Sequence, residues 1–128
     1  DGIEVFNKNH DLMRYADGIT PASNLEGNPS STQSGMIIPK PGSTSIYYLF
    51  TVGTDFVSFG GVKNPGFNFY TIDMTRNSGL GEITDGPVNL AIDPISGIDR
   101  SSDWSEKVTA VKGNDFNVLK SLKVVIRL

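Results

Sequence analysis

Fourteen glycines and seven prolines divide the 128 residues into short apolar segments. No stretch of about twelve residues carries a helical repeat of apolar positions. The chain must therefore build its core from strands, and the pattern predicts an all-β, antiparallel fold. The strongest strands are Met36 to Pro39 and Ile46 to Val52, joined by the hairpin-length turn Pro41-Gly42-Ser43-Thr44-Ser45. Ile46-Tyr47-Tyr48-Leu49-Phe50-Thr51-Val52 is almost continuously apolar or aromatic, which predicts an inner strand buried on both faces.

Other strands are predicted at Ile3 to Phe6, at Phe67 to Met74 and, as an outer strand, at Val88 to Ile92. Lys107 to Lys112 and Val118 to Leu128 follow, the latter alternating Leu122, Val124, Ile126 and Leu128 with Lys123, Val125 and Arg127. Gly18 to Ser34 reads as a long irregular connection because Pro21, Gly27, Asn28 and Pro29 oppose regular structure. Gly53 to Pro65 reads as a glycine-rich loop, and Ile98 to Ser105 as a polar one.

Composition excludes several function classes. With 38% hydrophobic and 20% charged residues the chain is globular in type, and it has no apolar run long enough for a spanning helix. A net charge of -3 with scattered basic residues argues against a nucleic-acid surface. Cysteine is absent, which removes disulfides, thiolate metal sites and cysteine nucleophiles. The sequence begins at Asp1 with no methionine or apolar leader, as in a mature or trimmed chain whose export signal was removed or never included. Asn28-Pro29-Ser30 is blocked as a glycosylation acceptor by its proline.

Ser30-Ser31-Thr32-Gln33-Ser34-Gly35 running into Val52, then Tyr70-Thr71-Ile72-Asp73-Met74, Gly79-Leu80-Gly81 and Glu106-Lys107-Val108-Thr109-Ala110-Val111-Lys112, carry a resemblance. Over roughly residues 1 to 112 the chain resembles the propeller-like repeat region of large secreted Bacteroidetes proteins, which often bear a type IX secretion or gliding-associated sorting domain. The resemblance implies a single β domain in which 1–29 end a preceding blade and its linker. By the same resemblance residues 30–92 would form one four-stranded blade, and 106–128 would open the next blade or make a divergent terminal strand. After Lys112 the sequence departs from the family pattern, with Gly113-Asn114-Asp115-Phe116-Asn117 leading into a Lys-rich aliphatic tail. A propeller needs at least four blades. A chain of this length therefore closes as a small β-sandwich or partial barrel, belongs to a larger ring, or self-associates through exposed strand edges.

Candidate chemistry is sparse. His10, the sole histidine, sits in the polar turn Asn7-Lys8-Asn9-His10-Asp11 and reads as a solvated turn residue. No Gly-x-Ser-x-Gly elbow is present. Gly60-Gly61 and Gly79-Leu80-Gly81 lack the helix start and lysine of a phosphate loop and read as turns. Asp93, Asp99, Asp103 and Glu106 could offer oxygen ligands to calcium, with Asp99, Asp103 and Glu106 the nearest set, although their spacing is not that of an EF-hand. No other cofactor is expected. Tyr47, Tyr70 and Trp104 could form an aromatic platform for sugar rings, against the alternative that the strand aromatics pack the core. Trp104 either caps the core from its polar loop or is an exposed contact.

These readings converge on a non-catalytic β module of a secreted or cell-surface protein, in adhesion, scaffolding or partner binding to a protein or glycan. The alternatives are a carbohydrate-binding domain using exposed aromatics and a fragment of a propeller hydrolase.

Overall fold

The structure is a computed structural model and describes residues 2–54, 65–101, 108–112 and 122–126. The protein is all-β, with five strands in one sheet: β1 (Arg14–Tyr15), β2 (Gly35–Pro39), β3 (Ile46–Val52), β4 (Phe67–Asp73) and β5 (Glu82–Asn89). Their spatial order is β1-β5-β4-β3-β2. β2 to β5 form a four-strand antiparallel meander, whereas β1 joins β5 in parallel, so the sheet is mixed and not wholly antiparallel. β6 (Val108–Lys112) and β7 (Leu122–Ile126) pair antiparallel as a second, two-stranded sheet.

The meander follows from its punctuation. Between β2 and β3 the Ser43 hydroxyl oxygen accepts from the Ser45 (3.3 Å) and Ile46 (3.1 Å) amides, and Lys40 N–H closes the hairpin onto Ile46 O at 2.9 Å. Between β4 and β5 a one-turn 3-10 segment, Asn77–Gly79, reverses the chain. Arg76 lies across this turn, 3.9 Å from Asp73 and 3.7 Å from Glu82.

Strand alternation sorts the side chains onto two faces. Tyr47, Leu49, Tyr70, Ile72 and Ile83 share one face, on which Val5, Met13, Ala22 and Leu25 complete a core. Phe50, Val52, Phe67 and Val108 are buried on the other, with Met36, Ile38, Tyr48 and Phe69 packed around them. Diagonal cross-strand neighbours supply aromatic contacts there: Phe50 stacks on Phe67 at 5.5 Å, and Tyr48 meets Phe69 edge-on at 5.7 Å. β3 is thus an inner strand, as its composition predicts, with Leu49 buried on one side and Phe50 on the other.

Residues 2–34 cover the first face as a ladder of single bonds, in which Val5 N–H donates to Ala22 O (3.2 Å), Met13 N–H to Val5 O (2.9 Å) and Leu25 N–H to Ile3 O (3.0 Å). The predicted strand Ile3 to Phe6 is corrected accordingly: it contributes only an isolated bridge, Phe6 to Leu12. This cover is tied down at Glu26. The Glu26 N–H donates to the Tyr70 hydroxyl oxygen (2.6 Å), and its carbonyl accepts from the Thr51 hydroxyl (2.5 Å) and the Asn68 side-chain amide (3.3 Å). Thr51 and Asn68 are cross-strand partners, and both are buried with their polar groups bonded.

The close approach dictates the next residue. A Cβ on Gly27 would lie 2.0 Å from the Gly2 carbonyl oxygen, inside any tolerable contact. β5 makes a second demand. Of two shifts of register against β4, the one between Phe69 and Thr71 leaves Gly86 and Pro87 together opposite Tyr70, with Gly86 at φ 111°. The outer strand predicted over Val88 to Ile92 is therefore displaced, since the observed strand is Glu82–Asn89 and runs through the Gly-Pro bulge.

Gly27→Ala should destabilise the protein by about 1–3 kcal/mol or more, the range for overpacking, read as a lower urea midpoint with an unchanged slope. Tyr70 gives a second test. Burial pushes its hydroxyl up to about 12, only partly offset by the Glu26 amide. Its neutral form is favoured by folding, so this contribution is complete below the ordinary tyrosine value of 10.0 and is lost as pH rises toward about 12. Tyr70→Phe should flatten that alkaline decline and cost about 1–3 kcal/mol at neutral pH through the unpaired Glu26 amide, both measurable by denaturant melts across the pH series.

Candidate interaction surface

The aromatic platform expected from sequence does not assemble as a surface on this face. Tyr47 and Tyr70 share a face because Tyr47 pairs with Ile72 and Leu49 with Tyr70, but that face lies under residues 2–34. Tyr70 is only 1% exposed, with its hydroxyl bound to the cover, and Tyr47 is half-buried against the same core. Tyr70 is thus a core residue, and a sugar-binding role for it is corrected. Trp104 lies outside the described residues, as do Asp103 and Glu106.

Asp99 is committed to a local turn, where its Oδ1 accepts from the Ser101 amide (2.9 Å) and hydroxyl (2.5 Å). Among the described residues no group of three or more histidine or acidic side chains could hold a metal ion. His10 is exposed in the turn predicted for it, at φ 67°.

The exposed feature of the fold lies elsewhere. Val88, Leu90, Ile92, Ile95 and Ile98 are five of the eight large hydrophobic side chains exposed among the described residues. Isolated exposed aliphatics are ordinary, whereas these five follow one another along one strand end and its following loop. Ile95 is 97% exposed, more than any of the others.

The loop is ordered from its base to its tip. Ala91 and Ser101 are buried where it leaves and rejoins the sheet. Leu90 N–H donates to Phe67 O (2.7 Å) and Arg100 N–H to Ala91 O (2.9 Å), while Ile92 and Asp99 form a β-bridge. At the tip Asp93 is the organising residue. Its amide donates to Ile98 O (2.9 Å), its carbonyl accepts from Gly97 N–H (2.8 Å), and its Oδ1 accepts from the Ile95 (2.8 Å) and Ser96 (3.2 Å) amides. Pro94 fixes the backbone within this turn. Ile95 is thereby held out from a closed hydrogen-bonded ring, so its exposure does not arise from a loose tether.

These bonds also act on the Asp93 carboxyl. The Ile95 amide first, then the Ser96 amide and hydroxyl, with Arg100 adding positive charge, hold it below the ordinary aspartate value of 3.8. Sequence reading assigns Val88 to Ile92 to an outer strand and Ile98 onward to a polar loop, and so misses the apolar ridge. The available signal is Asp93-Pro94-Ile95-Ser96-Gly97, a turn sequence carrying an aliphatic residue at its centre.

Comparison of the chain with protein families, with curated proteins and with solved structures returns no match. Among the described residues no helix is long and apolar enough to cross a membrane.

The Asp93 turn makes a direct prediction. In carboxylate titration by NMR, Asp93 should ionise below an unperturbed aspartate, and Ser96→Ala should raise its pKa toward that value. The sign follows from the depressed value: the turn's stabilisation is present above the ordinary aspartate range and lost as pH falls through the folded-state pKa.

Proposed function

We propose that the chain is a non-catalytic β module of a secreted or cell-surface protein, serving adhesion, scaffolding or partner binding through the loop that carries Ile95. The observation that carries this reading is the aliphatic ridge from Val88 to Ile98, displayed on a hydrogen-bonded turn. An ordered apolar projection loses little conformational freedom on binding, so the surface it buries counts more fully toward affinity. The polar groups that might suggest chemistry are engaged in architecture: Tyr70 in anchoring the cover, and Asp73, Asp93 and Asp99 in turn formation.

The blade reading belongs with this proposal. β2 to β5 are four consecutive strands in spatial sequence, within the span 30–92, and segments from outside the meander pack on both faces. Residues 2–34 take the place of a preceding blade's contribution, and β6 begins the next sheet with Val108 seated on the aromatic face. The carbohydrate-binding alternative loses support from the burial of Tyr70.

Beads coated with the protein should be retained on the surface of the cells that produce it. The double variant Ile95→Ser, Ile98→Ser should lower retention by at least about ten-fold, since each aliphatic side chain covered contributes about 1.5–3 kcal/mol. Its melting temperature should stay near that of the parent because both side chains are exposed. Equal retention of parent and variant would remove the ridge from the function, and no retention of either would reject adhesion.

A further inference from the structure

β2 forms one margin of the five-stranded sheet, and among the described residues its sole strand partner is β3. Backbone groups of an antiparallel strand point alternately to its two sides. Val52 N–H donates to Ser34 O (3.4 Å) and Lys40 N–H to Ile46 O (2.9 Å), and the register between these bonds is unbroken. Residues 34, 36, 38 and 40 therefore turn their amides toward β3. Gly35, Ile37 and Pro39 turn theirs outward. Pro39 stands where its missing N–H takes nothing from the β3 ladder, the position a proline tolerates in an edge strand.

The outward side of β2 thus offers the Gly35 and Ile37 N–H groups and the carbonyls of Gly35, Ile37 and Pro39. No residue of Gly35–Pro39 is charged, and Ile37 is 54% exposed. Uncharged apolar edges of this kind are templates for another strand. The opposite margin is closed differently, because β1 pairs with the start of β5 and the rest of β5 is bulged at Gly86 and Pro87.

We propose that β2 is a self-association edge whose partner is β2 of a second copy, antiparallel about a twofold axis through Ile37. This alignment overlaps the whole strand of both copies. The two Ile37 residues exchange both of their hydrogen bonds, and each Gly35 N–H meets the Pro39 carbonyl of the other copy. Each missing proline N–H then falls at an end of the ladder, opposite Gly35. The two exposed Ile37 side chains cover each other on one face of the joined sheet. Lys40 falls opposite Ser34 of the other copy, so no like charges meet. An isologous contact of this form closes as a dimer.

Because the chain has no cysteine, Ile37→Cys introduces a single thiol. Hydrogen-bonded antiparallel partners have Cα atoms about 5.5 Å apart, within disulfide reach. Under mild oxidation Ile37→Cys should form a covalent dimer about 100-fold faster than Ile19→Cys, a control at a more exposed position, reflecting the raised effective concentration in a preformed dimer. Sedimentation of the parent chain should give a dimer. Ile37→Pro, which deletes an outward N–H alone, and Ile37→Lys, which opposes two charges, should each give a folded monomer. A monomeric parent, equal crosslinking rates at the two positions, or dimers that survive both Ile37 substitutions would overturn the proposal.

Discussion

The peptide groups of Glu26 are the point on which the rest of this structure depends. One amide and one carbonyl are held by three side chains from two neighbouring strands, Tyr70, Thr51 and Asn68, at distances of 2.5 to 3.3 Å. A polar backbone crossing a sheet face would leave its groups unpaired, at a cost of about 1–3 kcal/mol each. Here the sheet supplies the partners, so an irregular segment can serve as a lid over Leu49, Ile72 and Ile83. The absence of a Cβ at Gly27 allows the lid to lie flat at that point.

This arrangement determines which apolar groups the sheet can leave exposed. Both faces of the meander are occupied, one by the lid and the other by an aromatic cluster that receives Val108, whose amide donates to the Gln33 side chain at 3.2 Å. Tyr47 and Tyr70, two residues of the expected aromatic platform, are engaged in packing. Among the described residues, the exposed large hydrophobics other than Phe6 and Ile19 of the lid lie at the periphery, on the end of β5 and the loop after it and on β2. The two are at opposite margins of the sheet and differ in kind, since one presents side chains and the other presents backbone.

The legible parts of the fold were those in which local and tertiary demands agree. Ile46 to Val52 reads as an inner strand because its apolar run is bounded by turn residues, and Phe67 onward reads as a strand for the same reason. β5 was harder because Gly86 and Pro87 interrupt it, and a Gly-Pro pair normally marks the end of a strand. Only pairing with β4 shows that these residues occupy a bulge. β1, two residues long and parallel to β5, has no periodicity to read. Tyr70 could be placed in a strand but not under a lid, because its face is set by register and its partner lies 44 residues earlier. The ridge is illegible in the sequence for a related reason: Leu90 and Ile92 have the pattern of core residues, and only the end of the strand at Asn89 places them outside it.

The lid also has a consequence for the order in which the chain can acquire structure. A nascent polypeptide emerges from its N-terminus, yet Val5, Met13 and Leu25 have their apolar partners on β3, β4 and β5. Arg14 and Tyr15 wait for Glu82 and Ile83, and Glu26 waits for Tyr70. Residues 2–34 are synthesised before the strands they cover, and are therefore among the last parts of this unit that can be fixed. Local hairpins must form beneath it before it settles. Pro21, Gly27 and Pro29 suit that wait, because the stretch they interrupt has little propensity for strand of its own and little tendency to pair wrongly while the sheet is being made.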